Sequence, residues 1–290
     1  MELVYKSTRG NVLSLTDNKA FYLIKVGSQS TIATDLSSIS IGSQDGDETT
    51  NVKAKARDIE LDLRIKEGVD VETAKRAVLS IIKIKQTGTL LWTQNDRTLE
   101  IQGTVTGFEM ERWEQGVTMI ISLHCSEPFW EDVKNAIEEI DEALSLHYFT
   151  DYPNDMLYFP TDGIALGEYD VTRTRTLYNG GDVAVGLDIE IIAYETVTNP
   201  IIHDQHNNFL GVGYGSGDKR VIMAAGDVIK ISTHKGKKDI LLNGTSIISK
   251  FKPQGTWLQL DTGNNTFSIG SDDVSATNMT FTLTYKQRYI

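Results

Sequence analysis

One alternating run constrains the fold of this chain more than any other feature. Apolar side chains fill every second position of this run, at Val117, Met119, Ile121, Leu123 and Cys125. A period of two is typical of a β-strand with one buried face. Pro128 cannot donate to a ladder and biases the residue before it away from helix, so the strand must end near Ser126. The sequence therefore predicts a half-buried strand at the edge of a domain.

The residues after this strand predict a helix and then a connector. Val133, Ile137 and Ile140 follow Phe129 at helical spacing among acidic residues, which indicates an exit helix. From Glu131 to Asp170 the pattern loosens into aromatic residues and prolines, as in an extended linker or, alternatively, a Pro-rich ligand. We therefore expect an N-terminal domain over residues 1–145 and a C-terminal domain over residues 146–290. Residues 131–170 form a connector whose limits the sequence does not define.

The first half reads as strands with one helix. A second alternating run points apolar side chains one way, at Ile59, Leu61, Leu63 and Ile65, and polar ones the other way, at Asp58, Glu60, Asp62 and Arg64. Residues 42–51 are polar without any period, which predicts a loop. Asp70 is a good N-cap for a helix with an apolar stripe from Val71 to Ile82, and Gly88 would close that segment. The arrangement is α+β.

The second half reads as an antiparallel β-sandwich. Short alternating strands recur at even spacing, separated by Gly and Asn turns such as Asn243-Gly244, and no helical period is present. The fold class predicted for the whole chain is therefore mainly β, with an α+β N-terminal domain and a C-terminal sandwich.

Charge and composition exclude several classes of function. The net charge is −12, and phosphate contacts need clustered Lys and Arg, so sequence-specific nucleic-acid binding is not expected. The local basic group Lys235, Lys237 and Lys238 is interpreted as a hairpin tip. The single cysteine, Cys125, lies on the apolar face of a predicted strand and is interpreted as a core residue rather than a catalytic thiol. No signal peptide or membrane span is expected, so synthesis takes place in a cytoplasm.

The motif search nominates no catalytic, cofactor-binding or metal-binding residue. His203 and His206 are three apart, but the surrounding Asn and Pro place them at a strand end and turn, and no third ligand is identifiable. The glycine-rich stretch 211–217 lacks the Lys-Ser/Thr ending of a phosphate loop. Trp257 alternates out of phase with Leu258, so it either caps the core or lies outside as a saccharide-stacking platform. Tyr214 is a second candidate platform.

The order of these signals resembles a known family. The first half contains, in this order, an alternating run after Arg57, one helix, the hairpin Gly88-Thr-Leu-Leu-Trp92 and a long strand ending Cys-Ser-Glu-Pro-Phe-Trp. The second half is a predicted sandwich with Asn-Gly-Gly-Asp near its start and Gly-Thr-Trp-Leu-Gln-Leu near its end. In this order they resemble the distal tail proteins of long-tailed bacteriophages over essentially the whole chain. The individual motifs are loose, so the resemblance rests on their order.

The resemblance implies a structural role. The N-terminal domain would form a homohexameric ring that continues the lumen of the tail tube, and a galectin-like sandwich would project outward. The implied partners are the tail tube protein, the tail-associated hub or lysin protein, and receptor-binding or baseplate proteins. The implied location is the virion tail tip after synthesis in the bacterial host cytoplasm. Ring or interface candidates are Arg57, Asp58, Glu60, Asp62, Arg64, Glu127, Pro128 and Trp130, none of them catalytic.

Two other functions stay open at this point. The first is a carbohydrate-binding adhesion module of a phage tail or cell-surface protein, with Trp257 or Tyr214 stacking on sugars. The second is a glycoside hydrolase or other cell-wall enzyme, for which the chain's 40 acidic residues nominate no particular carboxylate pair. The expected function remains a non-enzymatic hub of a phage, a prophage remnant or a related particle.

Overall fold

The structure, a computed structural model, describes residues 2–27, 32–40, 42, 45–113, 116–134, 136–140, 143–147, 168–172, 174–272 and 279–290. It divides into two compact units. The first contains residues 1–134 together with 288–290, and the second contains residues 135–287. The predicted domain limit at 145/146 therefore falls inside the second unit. The chain leaves the first unit once and returns to it at its last residues.

The elements up to residue 132 belong to the first unit. They are β1 (Glu2–Ser7), β2 (Val12–Ser14), β3 (Phe21–Val26), β4 (Thr34–Ser40), β5 (Asp47–Ala54), β6 (Arg57–Ile65), α1 (Val71–Ile81), β7 (Thr87–Gln94), β8 (Arg97–Trp113), β9 (Gly116–Cys125) and β10 (Trp130–Asp132). A long antiparallel sheet with the order β2-β1-β7-β8-β9-β6-β3 forms its centre.

Later elements run from residue 136 to the end. They are β11 (Ala136–Ile140), β12 (Ala143–His147), β13 (Glu168–Thr172), β14 (Thr174–Asn179), β15 (Val185–Gly186), β16 (Asp188–Ala193), β17 (Val197–Thr198), β18 (Ile201–Asp204), β19 (Phe209–Gly211), β20 (Ile222–Met223), β21 (Val228–Ser232), β22 (Asp239–Leu242), β23 (Thr245–Ser246), β24 (Gln259–Leu260), β25 (Gly263–Gly270), β26 (Met279–Tyr285) and β27 (Arg288–Tyr289). Short 3₁₀ turns lie at Gly217–Lys219 and Ile248–Lys250.

Both alternating runs of the first half are strands, as predicted. In β6 and β9 every second side chain is buried, and the two strands pair antiparallel with Ile59 opposite Leu123. Their apolar faces share one core with α1, whose Ala74 and Val78 are fully buried. The predicted N-cap is also confirmed, because the Asp70 carboxylate accepts a hydrogen bond from the Thr73 N–H at 2.8 Å. Period-two and helical patterns thus identify the core of the first unit.

Gly88 does not end the helix as predicted. The helix ends at Ile81, and Gly88 is a buried residue of strand β7. The Tyr5 side chain of the neighbouring strand lies directly against the Gly88 Cα, where a side chain would otherwise stand. Gly88 is therefore required for close packing on an aromatic ring rather than for termination of a helix.

The predicted turn at Asn243-Gly244 is confirmed, because these residues join β22 to β23 with φ angles of 48° and 84°. Asn95 and Asp96 join β7 to β8 with φ angles of 50° and 62°, the left-handed conformation that a two-residue hairpin turn requires. The predicted loop over residues 42–51, by contrast, is wrong at its second half, because β5 begins at Asp47 and pairs with β4. Both strands are almost wholly exposed, so no buried face imposes an alternating pattern on the sequence.

The predicted exit helix after residue 129 is wrong. Residues 130–132 form β10, which pairs with β8 and β27, and residues 136–140 form β11, which pairs with β26. Val133 and Ile137, two of the predicted stripe, are 41% and 64% exposed. Two of the three partner strands, β26 and β27, come from the far end of the chain, so a local pattern could not reveal them.

The second unit is the predicted antiparallel sandwich. A six-stranded sheet has the order β11-β26-β16-β21-β22-β23, and a four-stranded sheet has the order β14-β25-β18-β19. Alternate residues of β16 and β25 are buried in a core that includes Ile189, Ile191, Phe267 and Phe281. The mainly β fold class is thereby confirmed. In the described part of the chain, no helix has the length and apolarity needed to cross a membrane.

Candidate functional site

The polar face of β6 carries four of the predicted interface residues. Asp58 and Glu60 are exposed, and Asp62 and Arg64 are partly exposed, while Ile59 and Leu61 on the other face are buried. The alternation of the strand therefore brings these four charged side chains to one surface of the sheet. Whether this surface contacts another subunit remains a prediction.

Neighbouring strands extend this polar face. Register places His124 of β9 opposite Asp58, and the His124 Nδ1 lies 2.7 Å from the Asp58 Oδ1. Glu109 and Glu111 of β8 pair with Ile120 and Thr118 of β9, which in turn face the polar side of β6. We name Asp58, Glu60, Asp62, Arg64, Glu109, Glu111 and His124 together the acidic face. Five of these side chains are acids, so the surface is predominantly negative at neutral pH.

Arg57 lies on the opposite side of β6 from the acidic face. It is 3% exposed and pairs in register with Cys125 of β9. Burial lowers the pKa of Arg57, and burial raises the pKa of the Cys125 thiol from 9.0 to about 11. The interpretation of Cys125 as a buried core residue is confirmed. Within one chain, Arg57 belongs to the interior and is separated by the sheet from the acidic face.

The segment Glu127 to Trp130 divides between surface and core. Glu127 is exposed, Pro128 is buried, and Trp130 is 1% exposed with its ring 5.8 Å from that of Trp92 in an edge-to-face contact. Arg288 of the returning strand β27 contacts Glu131 at 2.5 Å and lies 3.9 Å from Glu127. Of this group, only Glu127 offers an accessible side chain to a partner.

Sequence reasoning missed the most exposed apolar surface of the first unit. Strands β4 and β5 pair with each other and, among the described residues, with no other strand. Leu36, Ile39 and Val52 of this hairpin are 63%, 57% and 58% exposed. The sequence does not reveal this surface, because its apolar residues lie among Ser, Thr and acidic residues without a period. We name β4 and β5 together the exposed hairpin.

The two predicted saccharide platforms are both partly buried. Trp257 stacks on Phe251, with ring centroids 4.9 Å apart and planes 4° apart, and the Lys238 ammonium lies 5.6 Å from the Trp257 ring centroid. The Tyr214 N–H donates to the Lys219 carbonyl, and its side chain is half-buried. Trp257 packs against the sandwich core, as one of its two interpretations required.

The predicted strand end and turn around the histidines are confirmed. His203 lies in β18, and His206 lies in the turn that follows, where the Asp204 carboxylate accepts from the His206 N–H at 2.8 Å. The described part of the chain contains no group of three or more His, Cys, Asp or Glu side chains that could hold a metal ion. The aromatic and proline-rich tract between residues 148 and 167 lies outside the described residues.

Comparisons with known proteins point to phage tails. Residues 180–289 match the family model of the siphovirus-type tail component, C-terminal domain. Among solved structures, the crystal structure of the SPP1 Dit protein superposes with a TM-score of 0.65 at 13% identity, over 99% of this chain and 99% of that one. Dit is described there as a paradigm of the hub of the adsorption apparatus in phages that infect Gram-positive bacteria. A search of curated proteins finds no significant match.

A weaker structural similarity involves an assembled tail tip. The phage P2 baseplate in its calcium-activated conformation matches at a TM-score of 0.44 and 13% identity, over 98% of both chains. This score is too low to support an argument. The matched tail-component domain and the fold shared with Dit confirm the resemblance to phage distal tail proteins.

Proposed function

We propose that this chain is the distal tail protein of a long-tailed phage or a tail-derived particle, with a structural and non-enzymatic role as the hub of the tail tip. Support comes from the match of residues 180–289 to a siphovirus-type tail component and from the fold shared with Dit along the whole chain. By analogy, the hub joins the tail tube protein to the tail-associated hub or lysin protein and holds receptor-binding or baseplate proteins at its periphery. Its location is the virion.

The hub assembles as a homohexameric ring through the first unit. The main support for this assembly is the exposure of apolar side chains on the exposed hairpin. Burying the exposed part of Leu36, Ile39 or Val52 against a second copy stabilises the assembly by about 1–2 kcal/mol per side chain. Leu36 and Val52 are cross-strand partners, so their exposed side chains lie side by side. Adjoining exposed apolar groups are typical of an interaction site. The occupant we propose is the neighbouring copy in the ring.

A sheet edge supplies further contact surface. Strand β3 ends the long sheet, and its Tyr22 and Ile24 are 57% and 54% exposed. An edge strand offers unpaired backbone groups to another chain. A closed ring needs two different surfaces on each copy, one meeting the other around the axis. The exposed hairpin and the β3 edge are the surfaces that we assign to this contact.

The acidic face suits a ring lumen. Its carboxylates repel the phosphates of passing DNA, which lets nucleic acid move through without binding. Asp58, Glu60 and Glu109 are exposed on this face in the single chain. A ring structure in which these side chains are buried, or face away from the axis, would overturn this placement.

Native mass spectrometry of the full chain, followed by negative-stain imaging, tests the ring. We expect a hexamer with a central hole, and we expect Leu36→Lys with Val52→Lys to release folded monomers, because charge at both positions prevents their burial. The matched control is Ile137→Lys with Ile222→Lys, two equally exposed positions of the second unit. The control keeps the hexamer. A hexamer formed by the hairpin variant would refute the assigned contact, and a wild-type chain that stays monomeric even with tail tubes would refute the hub.

A further inference from the structure

Lysines are concentrated in one part of the second unit. The chain has a net charge of −12, but residues 234–252 contain five lysines and one acid. The lysines are Lys235, Lys237, Lys238, Lys250 and Lys252. The sequence interpretation of the first three as a hairpin tip is confirmed, because they lie in the turn between β21 and β22, where the Lys237 N–H donates to the His234 carbonyl. The structure shows that the group is larger than this tip.

Aromatic rings connect the turn to a second segment. The Lys238 ammonium lies 5.6 Å from the centroid of Trp257, and Trp257 stacks on Phe251 at 4.9 Å. Phe251 is flanked in sequence by Lys250 and Lys252. The stacked rings therefore hold the β21–β22 turn next to the segment 250–252. Cation–π attraction favours a lysine position over the ring face.

A third ring extends the same surface. The Lys252 ammonium lies 5.7 Å from the centroid of Phe209, and Phe209 packs against His203 at 5.9 Å. The Lys252 N–H donates to the Gly211 carbonyl, which fixes this segment against β19. We name the five lysines with Phe209, Phe251 and Trp257 the lysine–aromatic patch. All of its members belong to the second unit.

In the described part of the chain, no acidic side chain pairs with the lysines of this patch. Among the described residues, none of the five ammonium groups forms a salt bridge, whereas Lys230 nearby contacts Glu190 at 2.7 Å. The one acid in the segment, Asp239, accepts from the Ser246 hydroxyl and from the Ile240 N–H, both at 2.8 Å. Like charges held together without counter-charges repel one another, and an external anion relieves that repulsion.

We propose that the lysine–aromatic patch binds a phosphodiester-linked glycopolymer of the bacterial cell surface. Lysine is a common phosphate ligand because its ammonium acts as a compact point charge. Five such charges along a surface suit a polymer that presents phosphates at intervals, and the rings of Trp257 and Phe209 hold Lys238 and Lys252 in place. The choice of a cell-surface source rests on the proposed function, which places this chain at the tail end.

A protein partner fits this surface less well. The cores of protein interfaces are depleted of lysine and enriched in exposed aromatic and apolar groups. Here Lys235, Lys237 and Lys238 are exposed and Lys250 and Lys252 are half-buried, and the large apolar side chain exposed in the same segment is Ile248, at 44%. Nucleic acid presents the same phosphates as a glycopolymer, so it serves as a comparison in the test.

Binding of poly(glycerol phosphate) to the full-length chain, measured by isothermal titration calorimetry at low and physiological salt, tests the inference. The variant changes all five lysines to Gln. The control changes to Gln five exposed lysines of the first unit that lie outside the exposed hairpin and β3, and so makes the same change in net charge; they are Lys6, Lys19, Lys83, Lys85 and Lys134. We expect the patch variant to bind at least tenfold more weakly and the control to change less than twofold. Added salt weakens the binding of the wild-type chain.

Three further probes decide the chemical class. Neutral dextran, poly-glutamate and a single-stranded oligonucleotide of matched charge are titrated in the same way. Weaker binding of all three supports the proposal, and equal binding of poly-glutamate or of the oligonucleotide overturns it. Absence of binding by the wild-type chain, or equal losses in both variants, also overturns it. Ring assembly is measured on the same samples, so the two proposals are tested separately. A hexamer that does not bind the polymer refutes this inference alone. A monomer that binds the polymer refutes only the ring.

Discussion

Replacing Gly88 with Ala will destabilise the first unit by about 3 kcal/mol or more. A Cβ added to Gly88 would overlap the Tyr5 hydroxyl oxygen and Cζ and would lie 2.6 Å from the Tyr5 Cε2, a distance that two non-bonded carbon atoms do not tolerate. The Tyr5 ring is fully buried, so it has no free space into which it can move. Overpacking of a rigid core costs about 1–3 kcal/mol, and a contact with ring carbon atoms belongs at the upper end of that range.

The Tyr5 hydroxyl allows a second, opposite change. Its oxygen is buried and has no hydrogen-bond partner among the described residues, and burial raises the pKa of Tyr5. Tyr5→Phe removes a polar group that gains nothing from folding, so we expect it to be neutral or stabilising by up to about 1 kcal/mol. Tyr5→Phe removes the hydroxyl oxygen, the nearest of the three atoms that clash with the added Cβ in the Gly88→Ala variant, but it keeps the two ring carbons, so most of that variant's loss remains. Tyr5→Leu removes them and rescues part of the loss.

Urea unfolding of each variant, followed by tryptophan fluorescence and near-ultraviolet circular dichroism, measures these effects. Gly107→Ala is the matched control, because its added Cβ would lie 3.3 Å from the Ser122 Oγ in the same sheet, which costs less than about 1 kcal/mol. A Gly88→Ala variant as stable as this control would refute the close contact with Tyr5. A loss of more than about 1 kcal/mol in Tyr5→Phe would show that the hydroxyl has a buried partner.

Three other predictions concern separate parts of the first unit. Hydrogen bonds from Thr73 lower the pKa of Asp70 in the folded state. The stabilisation that this cap gives to α1 is therefore present above the pKa of Asp70 in the unfolded state and is lost as pH falls through its pKa in the folded state. The unfolding midpoints of the wild type and of Asp70→Ala should converge in acid. With a pKa of about 11, the Cys125 thiol should resist a thiol reagent at pH 8 until urea is added. Deleting residues 288–290 removes the pairing of β27 with β10 and should lower the free energy of unfolding by about 1–3 kcal/mol in urea titrations.

Patterns set by nearby residues could be read from the sequence. The alternation from Ile59 to Ile65 and the apolar stripe of α1 identify a buried face, because each repeats within a few residues. Asn95-Asp96 and Asn243-Gly244 identify turns, since both pairs adopt positive φ angles that few other residues tolerate. In these segments, the local conformation and the final packing favour the same structure.

Structure set by distant residues could not be read in the same way. Residues 130–140 have helical spacing, yet they pair as strands with residues 281–289. The exposed hairpin lacks a period because neither of its faces is buried within one chain. The lysine–aromatic patch joins residues between 209 and 257 that have no common motif. In each case the deciding partner lies far along the chain or, by our proposal, in another molecule.

The structure suggests a different role for Trp257 from the one that the sequence suggests. In the sequence, its phase relative to Leu258 makes it a candidate platform for neutral sugars. In the structure, its ring is stacked on Phe251 and lies beneath the Lys238 ammonium, so its contribution is to position charge. A stacking platform binds neutral dextran and polyanions alike, because ring contacts do not depend on phosphate. A support for lysines discriminates between the two polymers, and that discrimination weakens as salt screens the ammonium groups.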